Sequence, residues 1–212
     1  SLAQAEVTIK EVEGEYVIAI DGAPFTTYKH KGLKNPCFYP VIGPHGVAMT
    51  RKYPLEDLAA GEEKDHPHHT SLWYTHGDVN GLDFWSNGGK NPEKGGKVAH
   101  DAVVTMKDGE DQAVLVTKSK WISNAEDKEI CQDERRFSFG ELGESRYIDF
   151  QITIKATNGD VIFGDTKEGS MAIRTHPNLR LKGEVAHGKA INSAGDHDAD
   201  LWGKAAKWVD YW

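Results

Sequence analysis

Residues 65–85, read as "DHPHHTSLWYTHGDVNGLDFW", concentrate side chains that could do chemistry. Imidazole titrates near neutral pH, binds divalent metals and both donates and accepts hydrogen bonds, so a cluster of histidines is a candidate site. Aspartates and tryptophans in the same stretch add hydrogen-bond acceptors and large apolar rings. The residues concerned are His66, His68, His69, Trp73, His76, Asp78, Asp83 and Trp85.

Three interpretations of the histidines remain open. If "HPHH" is extended, His66 and His68 point to one side and His69 to the other, which is the arrangement of an H-x-H metal pair. His176, in "IRTHP", would then be a distant third ligand. Alternatively, His68 or His69 acts as a general acid or base on a substrate. In the third interpretation the rings only hydrogen-bond carbonyls and carboxylates and hold the loop in shape.

A second group of polar residues follows a strand end in "VIFGDTKEGSMAIR". Asp165 and Glu168 are three residues apart in a turn, and Arg174 lies on the next strand. Paired carboxylates serve acid and base roles or bind calcium, and a nearby arginine lowers the pKa of one acid relative to the other. The alternative is a structural turn in which Asp165 accepts backbone hydrogen bonds.

Charged residues occupy core-facing positions in "CQDERRFSF". Asp133 and Arg135 share the parity of Phe137 and Phe139, so the sequence places all four on one face of a strand. Buried charges persist only when they are paired. This indicates either an internal ion pair or a polar cleft in the sheet, in which Arg135 would bind substrate.

Most periodic segments alternate with a period of two, which is typical of β-strands. The clearest is "RYIDFQITIK", and similar runs with turn signals between them predict at least eight strands in succession. The helical candidates are "PLEDLAAG" and "GKAAKWV". Residues 57–97 lack a convincing strand and predict a long, packed, functional loop across one end of the sheet. We therefore expect an all-β, antiparallel, supersandwich-like β-sandwich with little helix.

Length and charge restrict the class of protein further. A chain of 212 residues is predicted to fold as a single domain over residues 6–212. The net charge of −8, with the basic residues dispersed, argues against nucleic acid as a partner, and no apolar run is long enough for a membrane helix. Residues 1–5, "SLAQA", are interpreted as a signal-peptide remnant or a tag, which favours a periplasmic or secreted location. Cys37 and Cys131 could form one disulfide there.

Four blocks resemble the PmoA-like family, a bacterial group labelled methane oxygenase: "FYPVIGPHGVAMTRKYP", "DHPHHTSLWYTHGDVNGLDFW", "FGDTKEGSMAIR" and "WGKAAKWVDYW". The resemblance runs from about residue 35 to the C-terminus. Membrane methane monooxygenase uses many transmembrane helices and this chain has none, so we do not expect oxygenase activity. The resemblance instead implies a carbohydrate-related protein similar to the galactose-mutarotase supersandwich. It also implies a further C-terminal stretch, which this chain lacks.

The sequence thus predicts a carbohydrate-active enzyme that acts on a glycoside or sugar derivative by histidine and carboxylate chemistry. A metal-dependent enzyme and a non-catalytic sugar-binding module remain alternatives. No cofactor is firmly implied, a divalent metal is the one candidate, and a homo-oligomer is allowed. The predicted catalytic residues are His68, His69, Asp165, Glu168 and Arg174; the predicted substrate-binding residues are Trp73, Asp78, Asp83, Trp85, Arg135 and His176; the predicted metal ligands are His66 and His68.

Overall fold

The chain is almost entirely β-structure in the computed structural model, which describes residues 5–212. Ser1 to Gln4, which make up most of the predicted signal remnant, lie outside the described residues. The strands are β1 (Glu6–Val12), β2 (Glu15–Ile20), β3 (Ala23–Lys29), β4 (Cys37–Val41), β5 (Leu72–Tyr74), β6 (Gly96–Lys107), β7 (Gly109–Glu110), β8 (Gln112–Ser123), β9 (Glu129–Leu142), β10 (Ser145–Lys155), β11 (Met171–Ile173), β12 (Ala190–Asn192) and β13 (Val209–Tyr211). Short 3-10 turns occur at Pro44–Gly46, Pro92–Lys94, Pro177–Leu179 and Asp198–Leu201.

The strands form two large sheets and a small ribbon. One sheet has seven strands in the order β11-β5-β4-β3-β2-β1-β7, and the other has four in the order β10-β9-β8-β6. Strands β12 and β13 pair separately. Neighbouring strands are antiparallel within each sheet. The predicted all-β antiparallel sandwich is confirmed.

Side-chain alternation explains why these segments pair as they do. On β9, Phe137 and Phe139 are buried while Arg136 is exposed, as the period of two predicts. On β10, Phe150 lies opposite Phe137 in the register and packs against the same core. The inner faces of both sheets therefore contribute to one apolar layer, in which a buried large side chain stabilises the fold by about 1.5–3 kcal/mol.

The charged residues on the inner face of β9 form an internal ion pair. Arg135 Nη2 lies 2.6 Å from Asp133 Oδ2, and both side chains are buried. Trp121 Nε1 donates to the same carboxylate oxygen at 2.8 Å, and the guanidinium lies over the ring of Tyr74. The first of the two alternatives for this strand is therefore correct. Arg135 has no access to a ligand, so its predicted role in substrate binding is wrong.

Three other expectations differ from the structure. The segments "PLEDLAAG" and "GKAAKWV" form turns and irregular backbone rather than helices. The 57–97 region contains strand β5, which is short because its apolar residues pair with β4 on one side and β11 on the other. Cys37 and Cys131 are both buried free thiols in separate clusters, and burial raises the pKa of each to about 12. Among residues 5–212, no helix is long and apolar enough to span a membrane.

Candidate functional site

The histidines before β5 lie in a tight turn, not in the extended conformation that the sequence analysis predicted. The backbone N–H of His69 donates to the carbonyl of His66 at 2.9 Å. His66 has a φ of 42°, in the left-handed region that costs an L-residue about 1 kcal/mol or more. The turn therefore needs other contacts to hold it, and these come from two arginines.

Arg51 holds the turn from below and is only 3% exposed. Its Nη2 donates to the carbonyls of Asp65 at 2.8 Å and His66 at 3.1 Å. Its Nη1 lies 2.5 Å from Asp65 Oδ1 and 3.4 Å from the carbonyl of Glu63. A buried guanidinium thus fixes the backbone and the leading carboxylate of the turn together.

Arg174, which follows β11, approaches the same carboxylate from the other side. Its Nη2 donates to Asp65 Oδ1 at 3.0 Å and to Oδ2 at 2.8 Å. His66 Nδ1 lies 2.6 Å from Oδ2 as well. We call Arg51, Asp65 and Arg174 the arginine clamp. Burial alone would raise the pKa of Asp65, but hydrogen bonds from Arg51 and His66 and the charge of Arg174 hold that pKa well below its usual range.

The turn brings three imidazoles together into what we call the histidine cluster: His66, His68 and His69. The ring centroids are 4.5 Å apart for His68 and His69, 4.7 Å for His66 and His69, and 5.7 Å for His66 and His68. All three rings therefore share one surface, which the expectation of a His69 facing away did not anticipate.

Trp73 and Trp85 form the floor beneath the cluster. The ring of His69 stacks on Trp73 with a centroid distance of 5.2 Å, and Trp85 lies 5.2 Å from Trp73. The two tryptophans are only 2% and 7% exposed. Because both indole rings are covered, neither can stack on a sugar in this structure, and their predicted binding role is replaced by a supporting one.

The environment keeps two of the imidazoles neutral at pH 7. Burial against the tryptophans, followed by the charges of His68, His66, Arg174 and Arg51, lowers the pKa of His69 to about 3. Burial also lowers the pKa of His68, and the charge of His66 acts in the same direction. A neutral imidazole can accept a proton, so His68 is suited to act as a base.

Glu168 lies near enough to the cluster for its charge to act on the His68 ring. This carboxylate is partly exposed and pairs with Lys167 at 3.3 Å. The negative charge of Asp83 acts on His68 in the same direction as that of Glu168. The structure thus places the histidine stretch and the Glu168 turn side by side. Asp165 is exposed and forms no hydrogen bond or ion pair with the described residues.

His76 fastens the Glu168 segment to the histidine stretch. Its Nε2 donates to the carbonyl of Gly164 at 2.9 Å, which leaves Nδ1 to accept from the hydroxyl of Ser170 at 2.8 Å. A backbone bond from Thr75 to Ser170 lies beside these contacts. His76 is therefore a structural residue, and it explains how two segments 88–94 residues apart in sequence meet.

Asp78 and Asp83 also serve the loop. Asp78 accepts a hydrogen bond from the backbone of Gly81 at 2.9 Å. Asp83 accepts from the backbones of Trp85 at 2.8 Å and Ser86 at 2.9 Å, and from the Ser86 hydroxyl. These are turn-closing contacts of the kind that aspartate often makes, so both predicted substrate-binding carboxylates are occupied by the backbone.

His176, the predicted distant metal partner, caps a short turn instead. Its Nδ1 accepts from the backbone of Asn178 at 3.3 Å at the start of Pro177–Leu179. Across residues 5–212, no three or more His, Cys, Asp or Glu side chains are arranged to hold a metal ion. The pair His66 and His68 therefore gains no third ligand from this part of the chain.

A small cavity of about 140 Å³ opens beside His68. Thr70, Lys34, Asn35 and Asn87 contribute polar groups to its lining. Asn35 and Asn87 are buried and fixed by hydrogen bonds to backbone groups of the neighbouring loop. The amides and hydroxyl are thus held in place next to a neutral imidazole.

The site includes two residues that the sequence analysis did not select. Asp65 directly precedes "HPHH", and Arg51 lies in the block "MTRKYP", where no local pattern marks either one. Only the fold brings Arg51 and Arg174 to one carboxylate. A neighbouring acid before a histidine turn is the one signal that could have pointed to Asp65.

Comparison with known proteins gives one kind of match. The model of a family of unknown function, DUF6807, matches residues 15–212. No curated protein matches the chain, and no solved structure matches it either.

Proposed function

The chain belongs to the DUF6807 family, whose function is not known, and on the site's geometry we propose an acid–base enzyme that acts on a glycoside or sugar derivative. The observation that carries this proposal is the convergence of the histidine cluster and Glu168 beside a small polar cavity. Two groups that can exchange protons, held on a rigid floor, are the minimum that acid–base catalysis requires.

The residues divide into two reacting groups and their supports. His68, kept neutral by burial, accepts a proton from a sugar hydroxyl or from water. Glu168 exchanges a proton with the oxygen or carbon on the opposite side of the reacting bond. Arg174 and Asp65 are positioning residues because they fix the turn, and His69 transmits the support of Trp73.

The lining of the cavity favours a hydroxyl-rich ligand. Amide groups and hydroxyls both donate and accept, as sugar hydroxyls do. Asn35, Asn87 and Thr70 provide such groups within reach of His68. A ligand of this class would leave fewer unpaired polar groups in the cavity than an apolar ligand would.

Paired substitutions test the proposal. We expect His68→Gln and Glu168→Gln to lower turnover of the active glycan by about 100-fold or more, the range typical of general acid–base groups. Turnover is measured on a panel of oligosaccharides by NMR, which detects hydrolysis, elimination and epimerisation alike. His187→Gln, at an exposed histidine outside the cluster, is the matched control and should leave turnover unchanged.

Two results would contradict the enzyme proposal. Unchanged turnover in both variants would remove His68 and Glu168 from the chemistry. Binding of a glycan that survives Glu168→Gln, with no turnover of any panel member, would make the protein a sugar-binding module. Stoichiometric metal in protein purified without added metal would instead favour the metal-dependent alternative.

A further inference from the structure

We infer that the ligand of this site is an acidic sugar whose carboxylate is bound by Arg174 and His66. The inference rests on the proposed function and adds the chemical class of the substrate. It depends on hydrogen-bond donors of the clamp and cluster that have no partner among the described residues.

Arg174 has donors to spare. It uses a single amino group, Nη2, for both oxygens of Asp65. Its Nη1 and Nε form no hydrogen bond with residues 5–212, and the side chain is 25% exposed. A guanidinium presents two parallel N–H groups that match a carboxylate, so the free side of Arg174 is suited to an anionic group.

His66 adds a donor beside this guanidinium. Its Nδ1 contacts Asp65 Oδ2, the same oxygen that Arg174 Nη2 contacts. The ring is 54% exposed, and within the described residues its Nε2 has no hydrogen-bond partner. Two positively charged or donor-rich groups therefore flank one carboxylate oxygen and face the same side of the turn.

The charge balance of this side favours an anion. Two guanidiniums, of Arg51 and Arg174, share one carboxylate, that of Asp65, in a chain whose net charge is −8. The pKa of His69 agrees with this: after burial, every charged neighbour that shifts it lowers it, and all four are cationic side chains. The local field at His69 is positive even though the protein is acidic overall.

The opposite side of the cluster carries the opposite charge. Glu168 and Asp83 act on His68, whereas Arg174 acts on His69. A sugar with one anionic end would therefore bind in a single orientation, with its carboxylate at Arg174 and its hydroxyls toward His68. This polarity would place the reacting bond between His68 and Glu168.

Matched sugars that differ only at C6 test the inference. Isothermal titration calorimetry at pH 7 and low salt compares galacturonate with galactose, glucuronate with glucose, and mannuronate with mannose. In at least one pair we expect the acid to bind about tenfold more tightly than the neutral sugar. The preference should weaken in high salt because exposed charges are screened.

Two variants assign the preference to the clamp. Arg174→Gln should reduce the affinity for the acid about tenfold and leave the neutral sugar unchanged. Arg136→Gln, at an exposed arginine on the outer face of β9, is the control and should change neither. If Arg174→Gln does not fold, the comparison of acid with neutral sugar, and its salt dependence, decides on the unaltered protein.

The possible results separate this inference from the enzyme proposal. Equal binding of acid and neutral sugar, no binding of any sugar, or an acid preference that survives Arg174→Gln overturns the inference. Tighter binding of galactose 6-phosphate than of galacturonate, with the same dependence on Arg174, would replace the carboxylate by a phosphate. Turnover of neutral glycans without an acid preference leaves the enzyme and removes the inference; an acid preference without turnover does the reverse.

Discussion

Asp65 is the residue on which the geometry of the histidine turn depends. It neutralises the buried guanidinium of Arg51, accepts from Arg174 and orients the ring of His66. Arg51 also has a buried Nε without a hydrogen-bond partner. The loss of the Asp65 charge would leave a guanidinium in the interior with carbonyl oxygens as its remaining acceptors, which is costly.

We therefore expect Asp65→Asn to lower the free energy of unfolding by about 2–4 kcal/mol, because it leaves the charge of Arg51 uncompensated. Urea denaturation followed by tryptophan fluorescence measures this change. The control is Asp127→Asn, which removes a carboxylate that is 82% exposed and pairs with Lys97 at the surface. That change should stay within about 0.5 kcal/mol. Equal losses in the two variants would show that Asp65 does not support the fold as described.

At the scale of elements, a second pair of imidazoles joins the end of β3 to strand β6. The ring centroids of His30 and His100 are 4.1 Å apart, and His100 Nδ1 lies 3.3 Å from the hydroxyl of Tyr28. Burial, then the charge of His30, lowers the pKa of His100 to about 4; Asp101 opposes the shift and Arg135 adds to it. The contact between these strands therefore favours the neutral ring.

The sign of the pH effect follows from this lowered pKa. The unfolded chain has a histidine pKa of about 6.5 and binds a proton there that the folded chain resists down to about pH 4. Stability from His100 is complete above about pH 6.5 and falls as the pH decreases towards 4. We expect His100→Gln to reduce the loss of Tm between pH 7 and pH 4.5, measured by differential scanning calorimetry. His187→Gln, at an exposed position, should leave the slope unchanged; a slope that is identical in all three proteins would contradict the prediction.

Local alternation predicted some elements well and others not at all. Strands β9 and β10 are long, and each residue's parity reports the face it occupies, so their orientation could be predicted from sequence. Strand β5 is three residues long and exists because β4 and β11 pair with it from distant parts of the chain. The conformation of "HPHH" likewise depends on Arg51 and Arg174, which no window of neighbouring residues contains.

The same reason explains what could be predicted of the candidate site. Histidines and carboxylates were recognised by residue type, which is a local property, and the structure brings His68 and Glu168 together. Burial was not recognised: Trp73 and Trp85 carry the composition of a sugar platform but lie under His69. Composition identifies which side chains could bind a ligand, and only packing decides which of them can be reached.

At the scale of the whole molecule, one apolar core joins the two large sheets. Phe38 of the seven-stranded sheet meets Phe137 of the four-stranded sheet edge to face, with ring centroids 4.8 Å apart. Phe139 and Phe150 contact Phe38 from the same layer. Because each sheet is covered by the other here, we expect the sheets to unfold together.

A double-mutant cycle tests this coupling. We expect Phe38→Leu and Phe137→Leu each to lower the free energy of unfolding by about 1–3 kcal/mol. The double variant should lose less than the two changes combined, with a coupling of about 0.5–1.5 kcal/mol from the aromatic contact. Far-UV circular dichroism and tryptophan fluorescence should give one coincident transition. Separate transitions, or a coupling near zero, would show that the sheets are independent.

The bond between Arg174 and Asp65 joins residues 109 positions apart in the sequence. During synthesis, the ribosome must release Arg174 before this bond can form, although Arg51 and the histidines are already present. The first strands can pair early, because β1, β2 and β3 follow one another with short turns. The histidine cluster is therefore completed late, and a nascent chain that stops before β11 would carry the reactive residues without the second arginine that fixes them.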